Sequence, residues 1–275
     1  MKTAIFGGDK RMLFAAKAFV EAGHEVCIAG FDDMISLCEI QICTPSEAAH
    51  LCDIAVLPVR PLSGGFLNTP FSREKLPIAE LMRMIGKKPV YTGCADQLRF
   101  YALGEVHDYA AREDFVWQNA QLTAEGAVGL LVSGYEGSVY GSEILITGFG
   151  RIGKCLSKLL TAMGAHVAVA ARKPADLAMI AQLGMEPVDY TALDCSVYQV
   201  IFNTVPAMIF DQEKIGDMRD DVYLIDLSSK PGGVDFQAAE ARDLTCVHAL
   251  SLPGKTAPLA AGTIIKDTVV KMMGA

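Results

Sequence analysis

The chain has 275 residues, 51% of them apolar and 20% charged, which is enough greasy sequence for a buried core and excludes disorder as the main state. Lys and Arg number 24 against 32 Asp and Glu, and the net charge of −8 argues against nucleic acid as a partner. At roughly 150 residues per domain the length suggests two domains. The best candidate for a membrane span, Val197 to Phe210, is short and interrupted by Gln199, Asn203, Thr204 and Pro206, so no membrane association is expected. The first residues run straight into a Gly-Gly-Asp turn with no signal-peptide pattern. Eight cysteines (27, 38, 43, 52, 94, 155, 195 and 246) form no CxxC pair and no zinc-spaced cluster. They read as reduced, small core residues of a cytoplasmic protein, and no metal site is expected.

In chain order, Lys2 to Phe6 reads as a strand ending at Gly7-Gly8, followed by a helix from Arg11 to Ala22 with Met12, Ala15, Ala16 and Phe19 on one face. Glu25 to Ala29 and Asp53 to Leu57 read as further strands. Residues 61–77, rich in Pro, Ser, Gly and Asn, read as a surface loop, and Pro89 to Thr92 as a short strand. Asp108 to Ser133 is the longest helical stretch; it reads as two helices, with Thr123 capping the second and Glu125 in its first turn. Gly134 to Ser142 is a linker.

A second α/β series opens with a strand at Glu143 to Thr147, a glycine turn, and a helix to Met163 that carries Ile152, Leu156, Leu159, Leu160 and Met163 on one face, with Gly164 as its cap. Strands follow at His166 to Ala170, Val200 to Phe202 and Val222 to Ile225, and a helix at Ala257 to Met273. Strands alternating with helices argue for parallel sheets. The fold class expected is α/β, in two parallel-sheet units of about the same size, each opened by a strand and a glycine turn.

Gly148-Phe149-Gly150-Arg151-Ile152-Gly153 is a GxGxxG between a strand and an amphipathic helix, the context a dinucleotide fingerprint requires. Its glycines allow the turn, the approach of backbone to the pyrophosphate and close helix–strand packing, and the helix start offers free N–H groups to phosphate. NAD binding wants an acid at the end of the next strand; here Ala171 takes that position and Arg172 and Lys173 follow. Two cations suit a 2′-phosphate, so NADP is favoured, with NAD as the alternative and solvated loop cations as the plain reading. Thr204, Val205 and Pro206 follow a strand end and are candidates to touch the nicotinamide ribose; Asp226 to Gly233 follows another and closes the same crevice.

Four stretches together resemble a known family, the A subunits of dipicolinate synthase, two-domain relatives of the D-2-hydroxyacid and alanine dehydrogenases. They are Gly7 to Arg11; Arg112 to Phe115 with Asn119 to Gly126; Gly148 to Gly153; and Leu252 to Pro258 with Ala261-Gly262. Leu122 departs from the proline the family leads one to expect, and His248 is peculiar to this chain. The resemblance implies oxidation of a dihydro- or hydroxytetrahydro-dipicolinate to dipicolinate with NADP⁺ in spore formation, beside the flavoprotein-like B subunit of dipicolinate synthase. It also implies two Rossmann-like parallel-sheet domains joined by a long linking helix: one over residues 1–110, with a C-terminal helix of about 256–275 packing back on it, and the linking helix with the dinucleotide-binding domain over 111–255, in a homo-oligomer. A dicarboxylate substrate calls for cations, and Arg11, Arg60, Arg112 and Lys255 sit in or beside motifs or strand ends, each with surface charge as its alternative. Asp9 and Thr123 complete the substrate candidates, while Asn119, Glu125 and Lys255 are the candidates for chemistry. Lys255, between Gly254 and two prolines, is expected on an ordered loop, and His248 is expected to be structural. Two other readings stay open: a dehydrogenase of another small carboxylate, and a non-catalytic component that binds NADPH.

Overall fold

The computed structural model describes residues 1–33 and 40–274; Cys38 lies outside the described residues. The chain forms two compact units, Met1–Asn119 with Pro253–Ala275, and Ala120–Leu252. The first contains β1 (Lys2–Phe6), α1 (Lys10–Glu21), β2 (Glu25–Ala29), β3 (Gln41–Ile42), α2 (Pro45–Leu51) and β4 (Ile54–Val56). It continues with a small hairpin, β5 (Leu62–Ser63) and β6 (Phe66–Leu67), then α3 (Ile78–Ile85), β7 (Val90–Thr92) and β8 (Val106–Asp108). Its main sheet is parallel in the order β3-β2-β1-β4-β7-β8. Strand alternation sends Ala4 and Phe6 to one face, with Leu57 and Leu81, and Ile5 to the other, with Met12, Phe19 and Tyr109. Burial on both faces is why these strands are apolar throughout.

The helix α4 (Glu113–Gly134) starts in the first unit and ends in the second. The second unit contains β9 (Glu143–Thr147), α5 (Arg151–Ala162), β10 (His166–Ala171), α6 (Pro174–Gln182), β11 (Glu186–Asp189) and β12 (Val200–Asn203). Then come α7 (Gln212–Gly216), β13 (Tyr223–Asp226), α8 (Phe236–Ala241) and β14 (Thr245–His248). Its parallel sheet has the order β11-β10-β9-β12-β13-β14, the same winding as the first. In each sheet the order reverses beside the first strand, and a crevice for a ligand opens there at the carboxyl ends of the strands. The short helix α9 (Leu252–Thr256) leads to α10 (Pro258–Met273) in the first unit. Ile265 and Val269 of α10 join the core beside α1, and a Cβ on Gly262 would lie 2.6 Å from the Ala15 nitrogen. Only glycine permits that approach.

Three expectations are corrected. Residues 108–133 are not two helices: α4 is continuous, so Thr123 and Glu125 are mid-helix residues and cap nothing. Ala124, Ala127 and Leu131 bury fully in the second core, and that packing carries the helix through Thr123, Gly126 and Gly129 despite their low propensity. Residues 61–77 hold the β5–β6 hairpin, whose backbone pairs with neighbouring segments. Lys255 lies in the helical turn α9 and not on a loop.

Candidate active site

In the second unit the fingerprint sits at the topological switch point, between the ends of β9 and β12. Gly148 has φ +96°, and its N–H donates to Ala170 O at 2.9 Å. A Cβ on Gly148 would stand 2.5 Å from Thr204 Oγ1, and one on Gly153 would stand 2.1 Å from Gly148 O. Gly150 has open space where its Cβ would be, and no side chain caps α5, which begins at Arg151. The helix therefore presents uncapped N–H groups beside a gap, an arrangement that fits a pyrophosphate. Phe149 is buried, with the Lys154 ammonium 5.0 Å from its ring centroid, and Ile152 packs against the core.

A cavity of about 340 Å³ adjoins this turn, lined on one side by Gly148 to Gly150 and on another by Ala171, Arg172 and Lys173. Arg172 and Lys173 are exposed, and neither side chain has a hydrogen bond or ion pair among the described residues. Asp176, in the first turn of α6, is the one carboxylate on this lining. Sequence reasoning missed Tyr190 and Ile209, which also line the cavity. Burial pushes the Tyr190 phenol up, with Arg172 pulling the other way. Nothing in their sequence neighbourhood marks them, because they come to the cavity from two separate segments, the 3-10 turn after β11 and the stretch after β12.

Of the three ribose candidates, Val205 lines the cavity, whereas the Thr204 hydroxyl donates to Thr147 O at 2.8 Å. Thr204 thus fastens its loop to the fingerprint strand. Pro206 is exposed. At the strand ends beside the loop lies a polar row unforeseen from the sequence, buried except at half-buried His248. The sheet register sets Thr147, Asn203, Asp226 and His248 side by side at the ends of β9, β12, β13 and β14. Thr147 Oγ1 donates to Asn203 Oδ1 at 2.7 Å, and Asn203 Nδ2 donates to Asp226 Oδ1 at 2.9 Å. Asp226, with no exposed surface, also accepts from the backbone N–H of Ser228 (2.9 Å) and of Gly233 (3.1 Å). One carboxylate therefore holds both feet of the loop that carries exposed Ser229 and Lys230. His248 stacks on Phe236 at 5.2 Å between centroids, with Nε2 3.3 Å from Ser228 O.

In the first unit, Asp9 caps α1 and clasps the Arg11 guanidinium, with Oδ1 2.9 Å from Nε and Oδ2 2.7 Å from Nη2. Gly254 of α9 lies against this pair, and Lys255 beside it is exposed. The structure thus brings Asp9, Arg11 and the Lys255 segment together. Arg112 is turned to Asp114, Nε to Oδ1 at 3.0 Å, and Lys271 of α10 reaches the same carboxylate at 3.3 Å. Arg60 is exposed after β4, with its carbonyl accepting from Asn68 Nδ2 at 3.2 Å. On α4, Asn119 is half-buried, Thr123 is buried, and exposed Glu125 accepts from Gln121 Nε2 at 2.9 Å. The seven described cysteines are free. Among the described residues no cluster of His, Cys, Asp and Glu is arranged for a metal ion, and no helix is long and apolar enough to cross a membrane.

Two parallel sheets of one winding, the second carrying a glycine fingerprint and an adjoining cavity, define a two-domain dehydrogenase that binds a nicotinamide dinucleotide. Residues 102–235 match the NAD-binding domain of D-isomer specific 2-hydroxyacid dehydrogenases, and residues 2–102 match the N-terminal domain of the dipicolinate synthase A subunit. The chain is a two-domain relative of that A subunit. It is 29% identical to the A subunit of dipicolinate synthase from Bacillus subtilis (strain 168), over 99% of this chain and 96% of the other. The crystal structure of the A subunit from Bacillus halodurans superposes with a TM-score of 0.88 at 28% identity, covering 100% of this chain and 98% of that one. The crystal structure of its counterpart from Bacillus subtilis superposes with a TM-score of 0.86 at 28% identity, covering 100% and 96%.

Proposed function

We propose that this protein oxidises dihydrodipicolinate, or its hydroxytetrahydro precursor, to dipicolinate with NADP⁺, as the A subunit of a dipicolinate synthase. The likeness over the whole chain supports the substrate. The observation that carries the cofactor is the exposed Arg172–Lys173 pair on the dinucleotide cavity, with Ala171 where an acid would hold a ribose hydroxyl. Two cations against the single carboxylate of Asp176 leave that rim positive, which favours a 2′-phosphate.

A nicotinamide dinucleotide held in that cavity would supply the hydride acceptor; the dihydro ring gives up one hydride and one proton, and the hydroxytetrahydro ring gives up a water as well. The chain's own contribution is placement. The α5 N-terminus and Gly150 cradle phosphate, Thr204 fixes the cofactor loop, and Asn203 with Asp226 fixes the loop beside it. Arg11, Arg60, Arg112 and Lys255, with Asp9 and Thr123, are the groups to hold a dicarboxylate, and Glu125 or Asn119 the groups to manage the released proton. The B subunit as a partner, assembly into a homo-oligomer and a place in the cytoplasm during sporulation belong to the same reading.

The test is an assay on the purified chain, with substrate generated from pyruvate and aspartate semialdehyde by its synthase. NADPH and dipicolinate are expected to form one for one, with NADP⁺ preferred over NAD⁺. Arg172→Ala is expected to weaken NADP⁺ at least tenfold and NAD⁺ less than threefold. Equal loss for both cofactors would reject the 2′-phosphate assignment. Absence of turnover by the chain, both by itself and with the B subunit, would reject the reaction.

A further inference from the structure

The Asp9–Arg11 pair is built in a way a merely structural ion pair does not require. Arg11 is largely buried, its side chain 14% exposed. Asp9 takes the guanidinium side-on, through Nε and Nη2. A guanidinium has five N–H donors and two usable edges, and side-on pairing leaves the other edge, Nη1 with the second hydrogen of Nη2, to be satisfied. Among the described residues Nη1 has no partner, yet no unpartnered buried side-chain nitrogen exists there, so Nη1 reaches the surface. Tyr109, the nearby phenol, does not compete, because its hydroxyl donates to Leu57 O at 2.9 Å.

The pair is also held from outside. The side chain of Asp9 accepts the Arg11 N–H at 3.1 Å as the cap of α1. The backbone of α9 closes over it: a Cβ on Gly254 would stand 2.7 Å from Asp9 Oδ2 and 3.0 Å from Arg11 Nε. The next residue, Lys255, is exposed and has no partner among the described residues. Burial works against the guanidinium charge, but the bonds and charge of Asp9 outweigh it and raise the Arg11 pKa further. The cation therefore stays charged and fixed in direction, offering one planar fork.

We infer that Arg11 is the carboxylate anchor of the substrate site, binding one carboxylate of a small dicarboxylate on its free fork, with Asp9 as a positioning residue. Lys255 supplies the charge that Asp9 cancels. Arg112 fits the part less well. It is more than twice as exposed as Arg11, at 38%, and its carboxylate partner is shared with Lys271. That the dicarboxylate is a pyridine-2,6-dicarboxylate rests on the proposed function; the anchor itself rests on geometry.

The experiment is calorimetric titration of the intact chain with pyridine-2,6-dicarboxylate, with pyruvate and oxalate as further carboxylates, and separately with NADP⁺. Arg11→Lys, Asp9→Asn and Gly254→Ala are each expected to weaken dicarboxylate binding at least tenfold while NADP⁺ affinity stays within twofold. Lys keeps the charge and loses the fork, so its failure would separate geometry from charge, and unchanged NADP⁺ binding would show that the variants fold. Wild-type affinity in all three variants would overturn the anchor and leave the proposed reaction standing. Arg11-dependent binding of pyruvate or oxalate, without binding of the pyridine compound, would uphold the anchor and reject the proposed substrate. Binding of no carboxylate at all would overturn the anchor.

Discussion

At the scale of single residues, the most demanding feature is the buried Asp226 carboxylate. It is stabilised by three N–H donors, from Asn203, Ser228 and Gly233. Removing the acceptor leaves those donors unmatched, each at about 1–3 kcal/mol before relaxation. Asp226→Ala is therefore expected to lower the stability of the second unit by about 3 kcal/mol, read from urea unfolding. A loss under about 1 kcal/mol would mean that the donors find water. The sequence places Asn203 and Asp226 at strand ends but does not pair them. They are 23 residues apart, and only the order β12-β13 and its register bring them together. The fingerprint glycines are legible for the opposite reason, since every contact that defines them is local except those from Thr204 and Val205.

At the scale of elements, the start of α4 and the end of α10 are fastened by one carboxylate. Asp114 is held down to about 2, chiefly by its bond with Arg112, against the opposing effect of burial, and further by Lys271. An unperturbed Asp titrates near ~3.9, so the folded form binds its proton less readily than the unfolded chain. The fastening is thus complete above about 4 and is lost as pH falls through about 2. Carboxyl-carbon NMR is expected to place the Asp114 midpoint near the same value, and Arg112→Ala to raise it more than Lys271→Ala does. A midpoint unmoved by either change would show the pairs to be loose surface contacts. Elements are legible where an apolar strand runs into a glycine turn, as at β1, β9 and the start of α5. The two-residue β3 and the mixed Glu186–Asp189 strand are not, because pairing with a neighbouring strand, and not their own pattern, makes them strands. The same holds for α2, whose seven residues are too few to show a period, although the capping box of Thr44 and Glu47 marks its start.

At the scale of the whole molecule, the chain builds most of one unit, then all of the other, and returns to finish the first with α10. The cores follow this division. Those of the first unit draw on residues 4–115 with Ile265 and Val269, and those of the second on residues 124–252. The long linking helix that the resemblance implies is α4, and only the local pattern around Thr123 suggests a break in it. Separate cores imply separate melting, and each ligand should stabilise only the unit that binds it. A ligand at 100 times its Kd adds about 2.7 kcal/mol to that unit alone. Scanning calorimetry is expected to show two transitions. NADP⁺ should raise the one that Asp226→Ala lowers, and a bound dicarboxylate should raise the one that Gly262→Ala lowers, since Gly262 sits in the α1–α10 packing of the first unit. A single transition raised by either ligand would show that the units unfold as one, and would tie cofactor and substrate binding through the stability of the whole chain.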